Sequence, residues 1–103
     1  MATVRGEFIT LGGGASSYAA NIVRDVVGTF NAGDGEQVDI PNDLPDGALY
    51  VRLVAIGGSA YVAWGPNPTA SGDNPTRELL LTAGLPEAIA VTGGWKLSFA
   101  DGE

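Results

Sequence analysis

The side chains most often used for catalysis near neutral pH are missing, because the 103 residues contain no His and no Cys. Without them there is no thiol nucleophile and no imidazole base, and zinc and the transition metals lose their two commonest protein ligands. What remains is the chemistry of carboxylates, hydroxyls and aromatic rings. Asp34, Glu36, Asp39, Asp43 and Asp46 fall close together, and oxygen donors of this kind bind calcium. They lack the ordered Asp-x-Asp-x-Asp-Gly spacing of a calcium loop, and Asp is common in turns because its side chain bonds nearby backbone. A glycosidase would need two carboxyl groups facing each other across a sugar bond, whereas these acids sit in expected loops with no cleft signalled around them. Ser16-Ser17 follows Gly12-Gly13-Gly14, but no base stands near it and no Lys follows the glycines, so neither a nucleophile nor a phosphate loop is read. Tyr50, Tyr61, Trp64 and Trp95 offer either a sugar-stacking platform or buried area for a core, and for Tyr50 and Tyr61 a subunit contact as well. The expectation is a chain that is not an enzyme and takes no metal or cofactor.

Charge narrows the partners. Twelve acids against five bases give a formal net charge of −7, so DNA or an acidic membrane surface is repelled over most of the exterior. The bases Arg5, Arg24, Arg52, Arg77 and Lys96 are scattered singly, with no cluster to track phosphates. Met1 to Glu7 lacks the apolar core of a secretion signal, and no stretch approaches the ~18 apolar residues of a membrane span. Neither nucleic acid nor a membrane is expected as a partner, and synthesis in the cytoplasm is.

The elements that would position any site read as strands. Two alternating apolar runs, Leu49 to Trp64 and Glu87 to Phe99, are each folded about a Gly-Gly dipeptide. Taking Gly57-Gly58 as a two-residue turn sets Ala55 opposite Ala60, Val54 opposite Tyr61, Leu53 opposite Val62 and Val51 opposite Trp64. One face then carries Val51, Leu53, Ala55, Ala60, Val62 and Trp64, and the other carries Tyr50, Arg52, Val54, Tyr61 and Ala63. A slip of one residue would break this sorting. Taking Gly93-Gly94 the same way pairs Thr92 with Trp95, Ala90 with Leu97 and Ala88 with Phe99 as the core face, leaving Ile89, Val91, Lys96 and Ser98 opposite.

Elsewhere the signals are shorter. Thr3 to Leu11 reads as a first strand or as an arm that orders against a partner. Ala15 to Phe30 has apolar residues every four positions, but its β-branched pairs Ile22-Val23 and Val26-Val27 favour a strand, and Gly28 would cost a helix ~1 kcal/mol. Asn31 to Gly35 is a turn, Gln37 to Ile40 a short strand ended by Pro41, and Arg77 to Thr82 another strand. Gly65 to Thr76, rich in Pro and Gly, reads as an exposed loop of the length at which loops tend to be functional. About seven or eight short strands in residues 1–103, read as one β domain with 1–14 a possible extended N-terminal arm, make an all-β fold: a small β-sandwich or a Greek-key, jelly-roll-like barrel. A chain of this length buries over ~60 % of its unfolded surface, enough for one modest core.

Val51-Arg52-Leu53-Val54-Ala55, then Tyr61-Val62-Ala63-Trp64-Gly65-Pro66-Asn67-Pro68-Thr69-Ala70, Leu85-Pro86-Glu87 and Val91-Thr92-Gly93-Gly94-Trp95-Lys96-Leu97-Ser98 resemble segments of small virion-associated proteins of tailed bacteriophages. The resemblance covers about the C-terminal half. It implies a capsid decoration (cement) protein or another small head or tail component, working as a homo-oligomer, a dimer or trimer, on the major capsid protein or another virion protein, and located in the virion. The expected contact residues are Tyr50, Arg52, Val54 and Tyr61 on the mixed hairpin face, Phe8 and Ile9 on the N-terminal segment, and Asn67 in the long loop. The alternative is a carbohydrate-binding β module or other tail or adhesion component, with the 65–76 loop and its neighbouring aromatics as the site.

Overall fold

The computed structural model describes residues 2–12, 22–42, 49–72 and 77–102. They contain eight strands: β1 (Thr3–Gly12), β2 (Ile22–Ala32), β3 (Gln37–Asp39), β4 (Leu49–Ile56), β5 (Ala60–Gly65), β6 (Glu78–Leu81), β7 (Glu87–Val91) and β8 (Lys96–Asp101). β2-β1-β4-β7 form a first antiparallel sheet and β3-β8-β5-β6 a second. The β-branched Ile22 to Val27 segment is a strand, as its residue types predict.

The pairings nest. β2 with β1, β3 with β8, β4 with β7 and β5 with β6 are the rungs of one long hairpin whose tip is the β5–β6 connection. Rolling it up adds the contacts β1–β4 and β8–β5, which is the strand arrangement of a jelly roll. Here β1 occupies the place that the final strand takes when such a chain begins at the position of β2. The two ends of the described chain accordingly meet the same turn: Thr3 pairs with Ile56, Asp101 pairs with Ala60, and the Gly102 N–H donates to the Ser59 carbonyl at 2.8 Å.

The core lies between the sheets. Phe99, Leu53, Leu81, Leu97, Val4, Val51 and Val62 are its largest fully buried side chains, each contributing about 1.5–3 kcal/mol relative to exposure. Phe30 sits tilted between Phe8 and Phe99, with ring centroids 5.3 and 5.8 Å away. Its ring lies directly over Gly6, where an added Cβ would come within 2.1 Å of the ring, so a residue without a side chain is needed at that point of β1.

Three expectations are corrected. Gly57-Gly58 does not close a hairpin; it carries the chain from β4 in one sheet to β5 in the other. Both sides of β4 are already taken, by β1 and β7, and both sides of β5 by β6 and β8. The apolar set Val51, Leu53, Ala55, Ala60 and Val62 is buried as expected, but from two facing sheets and not from one. Gly93-Gly94 likewise links β7 to β8 across the sandwich. Freed from a shared register, β7 takes the opposite phase: Ile89 and Val91 pack against the core while Ala88 and Ala90 are exposed. Leu97 and Phe99 are buried as read, and Trp95 packs against the core. Of the two readings of the N-terminal segment the first-strand one holds: Thr3–Gly12 is an interior strand with a partner on each side, and Phe8 and Ile9 are buried, at 4 % and 3 % exposure.

Candidate functional site

Strand alternation decides which side chains reach the outside of the first sheet. Val4, Gly6 and Phe8 face the core, so Thr3, Arg5, Glu7 and Ile9 face outward from β1, and register then aligns them with β2, β4 and β7. Three rows result. Asn31, Arg5 and Val54 form the first, Thr29, Glu7, Arg52 and Ala88 the second, and Val26, Ile9, Tyr50 and Ala90 the third.

The second row is held by a cross-strand ion pair. Nε and Nη2 of Arg52 both donate to Glu7 Oε1, at 2.9 and 2.6 Å, and the side chains remain 43 % and 25 % exposed. Opposed charges in register favour this pairing of β1 with β4. Beside it, Arg5, Glu7, Arg52, Leu53, Val54 and Pro86 line a surface hollow of about 300 Å³.

The third row is apolar across all four strands. A β-bulge shapes its rim: Phe8 pairs with Gly28 but Ile9 with Val26, so Val27 is skipped. The bulge turns two successive valines outward on the edge strand, and Val26 and Val27 are 48 % and 36 % exposed. Ile9 is buried within the row, Tyr50 is half-buried and Ala90 is exposed. Ile56, 53 % exposed, stands at the far end of β4.

The second sheet presents a different exterior. Residues 66–72 fold back over it: the Gln37 side chain donates to the Pro68 carbonyl at 3.1 Å, the Ala70 N–H donates to Ser98 Oγ at 3.1 Å, and the Ser71 N–H donates to Glu78 Oε2 at 2.9 Å. Ala63, Pro68 and Ser98 are buried as a result. Gly72 packs on the Tyr61 ring, where an added Cβ would lie 3.1 Å from two ring carbons.

Of the residues expected at an interface, Tyr50, Arg52, Val54 and Ile9 therefore share the outer face of the first sheet, with Ile9 serving as its buried floor. Phe8 faces the core and is removed from any contact surface. Tyr61 is on the opposite sheet under the 66–72 segment, because β4 and β5 do not pair. Asn67 is exposed and lines a separate surface pocket of about 260 Å³ with Trp64, Pro66, Pro68, Thr69 and Arg77. Arg77 was not singled out by the sequence, in which it is one isolated base, and no spacing pattern ties it to Trp64.

Three of the acids weighed as calcium ligands have backbone and pairing roles. Asp34 Oδ1 accepts from the Asp101 N–H at 2.8 Å, Glu36 Oε1 accepts from the Gly33 N–H at 2.7 Å, and Asp39 pairs with Lys96 at 3.3 Å across β3 and β8. Asp43, Asp46, Ser16 and Ser17 lie outside the described residues. Among the described residues, no three His, Cys, Asp or Glu side chains gather as a metal-holding group. Set against protein-family models, characterised proteins and solved structures, the chain matches none.

Proposed function

We propose that this chain is a non-enzymatic structural protein of a tailed-bacteriophage virion, a capsid decoration protein that binds the head surface as a small homo-oligomer and reinforces the shell. The supporting observation is the outer face of the first sheet, where the apolar row Val26, Ile9, Tyr50 and Ala90 runs beside the Glu7–Arg52 pair. An apolar centre flanked by fixed charges is the composition of a specific protein contact, in which burial supplies affinity and charge supplies register. Many such contacts repeated over a lattice reinforce one another, so each can be individually weak. The setting is taken from the way the segments around β4, β5 and β8 read as similar to virion-associated proteins.

The test is co-sedimentation of the purified protein with expanded capsids of the encoding phage, titrated to saturation. A plateau at a simple ratio to the major capsid protein is expected. Absence of binding would overturn the decoration reading.

A further inference from the structure

The pocket beside the second sheet combines features that the shell-contact reading leaves unused. One wall is Trp64, itself packed against the core, so the indole is held in place before any ligand arrives. Pro66 and Pro68 extend the wall with surfaces that lose no side-chain freedom on contact. Asn67, exposed at the rim, presents an amide that both donates and accepts. Arg77 closes the other side.

Arg77 is the unusual member. Its φ is +56°, the only positive value among described residues other than glycine, and holding a long side chain there costs about 1–3 kcal/mol. Surrounding structure enforces it: the Trp64 N–H donates to the Arg77 carbonyl at 3.1 Å, and the guanidinium lies 4.8 Å from the Trp95 ring centroid. The Trp95 ring orients the charge without neutralising it, whereas Arg52 and Lys96 are each held by a carboxylate. An oriented cation with no carboxylate partner seen among the described residues, on an exposed residue that lines a pocket together with Trp64, Pro66 and Asn67, suits a carboxylate.

We propose that this pocket binds one sugar ring bearing a carboxylate, as in a uronic-acid residue of an acidic glycan, with Arg77 taking the carboxylate. The volume of about 260 Å³ suits a single ring and is too small for a longer segment. The apolar C–H face of the ring stacks on Trp64 while Asn67 bonds its hydroxyls. The net charge of −7 disfavours long polyanions, while salt screening confines that repulsion to charges within about 8–10 Å, so a short acidic oligosaccharide still reaches Arg77. The pocket adjoins the second sheet and the proposed shell contact lies on the outer face of the first, so either can fail without the other.

The experiment is a titration of ¹⁵N-labelled protein, followed by amide shifts and Trp fluorescence, with trigalacturonate, its methyl ester and a blocked Glu-Glu-Glu peptide. Saturable shifts at residues 64–69 and 77 with trigalacturonate are expected. Esterification, which removes the charge and keeps the shape, weakens binding about tenfold or more, as does Arg77→Gln, through loss of a charge-assisted bond. The ester comparison uses the unmodified protein and so does not depend on a variant folding. Absence of saturable binding by trigalacturonate, equal binding of the ester, or equal or tighter binding of the peptide would each overturn the proposal, the last by assigning the pocket to acidic protein segments.

Discussion

Replacing Gly6 by Ala tests the packing at the centre of the sandwich. The new Cβ would stand 2.1, 2.4 and 2.7 Å from Cζ, Cε2 and Cε1 of Phe30, so the ring must retreat by about 1.3 Å to reach ordinary van der Waals contact. It cannot move deeper, because Phe8 and Phe99 flank it with centroids at 5.3 and 5.8 Å and both are buried. If the ring stays, overpacking costs about 1–3 kcal/mol. If it swings out over the edge of β2, two aromatic contacts at about 0.5–1.5 kcal/mol each are lost along with part of its burial. Ala fits a strand better than Gly by about 0.5–1 kcal/mol, which offsets some of either cost. The expected net destabilisation is therefore about 2 kcal/mol, or about 8–16 °C in Tm for a chain of this size.

Urea denaturation of four proteins separates this account from a general intolerance of β1 to change: the parent, Gly6→Ala, Phe30→Ala and the double variant. With the ring gone, Ala at position 6 meets empty space, so in the Phe30→Ala background the same substitution should be neutral or slightly stabilising. The coupling between the sites would then be about 2 kcal/mol. An equal cost of Gly6→Ala in both backgrounds would refute the ring-over-glycine packing.

Four other outcomes are expected. Gly35→Ala, at φ +79° with nothing within 4 Å of the added Cβ, should cost about 1–2 kcal/mol from backbone strain alone, and Gly35→Asn less; equal urea midpoints for Gly35→Ala and the parent would show that the β2–β3 turn relaxes. A double-mutant cycle on Glu7 and Arg52, whose side chains are 25 % and 43 % exposed, should give a coupling below about 1 kcal/mol that shrinks with added salt; a larger, salt-insensitive coupling would contradict the surface character of the pair. Ala90→Glu places a charge at the exposed end of the apolar row and should leave stability within about 0.5 kcal/mol while abolishing saturable capsid binding; unimpaired binding would move the contact to another face. A permuted chain that joins Gly102 to Ala2 by a short linker and reopens between Gly12 and Ile22 keeps every strand pair and should unfold cooperatively with an unchanged near-ultraviolet spectrum; loss of that spectrum would contradict the rolled-hairpin arrangement.

What a sequence can disclose here depends on how local the controlling physics is. Side-chain alternation along a strand is set residue by residue, so the inward phase of Val51, Leu53 and Ala55 and of Ala60, Val62 and Leu97 was readable, as was the strand character of Ile22 to Val27. Pairing is not local. A Gly-Gly dipeptide between two alternating runs closes a hairpin or carries the chain across a sandwich, and both leave the same residues facing the core. The choice rests on β1 and β7 occupying the sides of β4, which are contacts distant in sequence. The error at β7 has the same origin. Tying its phase to β8 put Ala88 and Ala90 inward, whereas pairing with β4 sets Ile89 beside Val51, and burying Ile and Val removes more apolar surface from water than burying two alanines.

The same topology explains why the expected contact residues divided. Once β4 and β5 belong to facing sheets, Tyr50, Arg52 and Val54 point out of one side of the molecule and Tyr61 out of the other, although the four alternate within one short sequence window. The two exteriors then differ through the chain that follows β5. That connection returns over the second sheet, where Gln37, Ser98 and Glu78 bond its backbone and Tyr61 carries Gly72, and its beginning shapes the pocket against Trp64 and Arg77. On the first sheet, valines exposed by a bulge stand beside a buried Ile9 and a half-buried Tyr50. A sheet face that its own chain covers has its apolar area satisfied within the molecule. Among the described residues the first sheet keeps Val26 and Val27 at 48 % and 36 % exposure, and burying them against another protein would be favourable, which is why the proposed contact is set on that face.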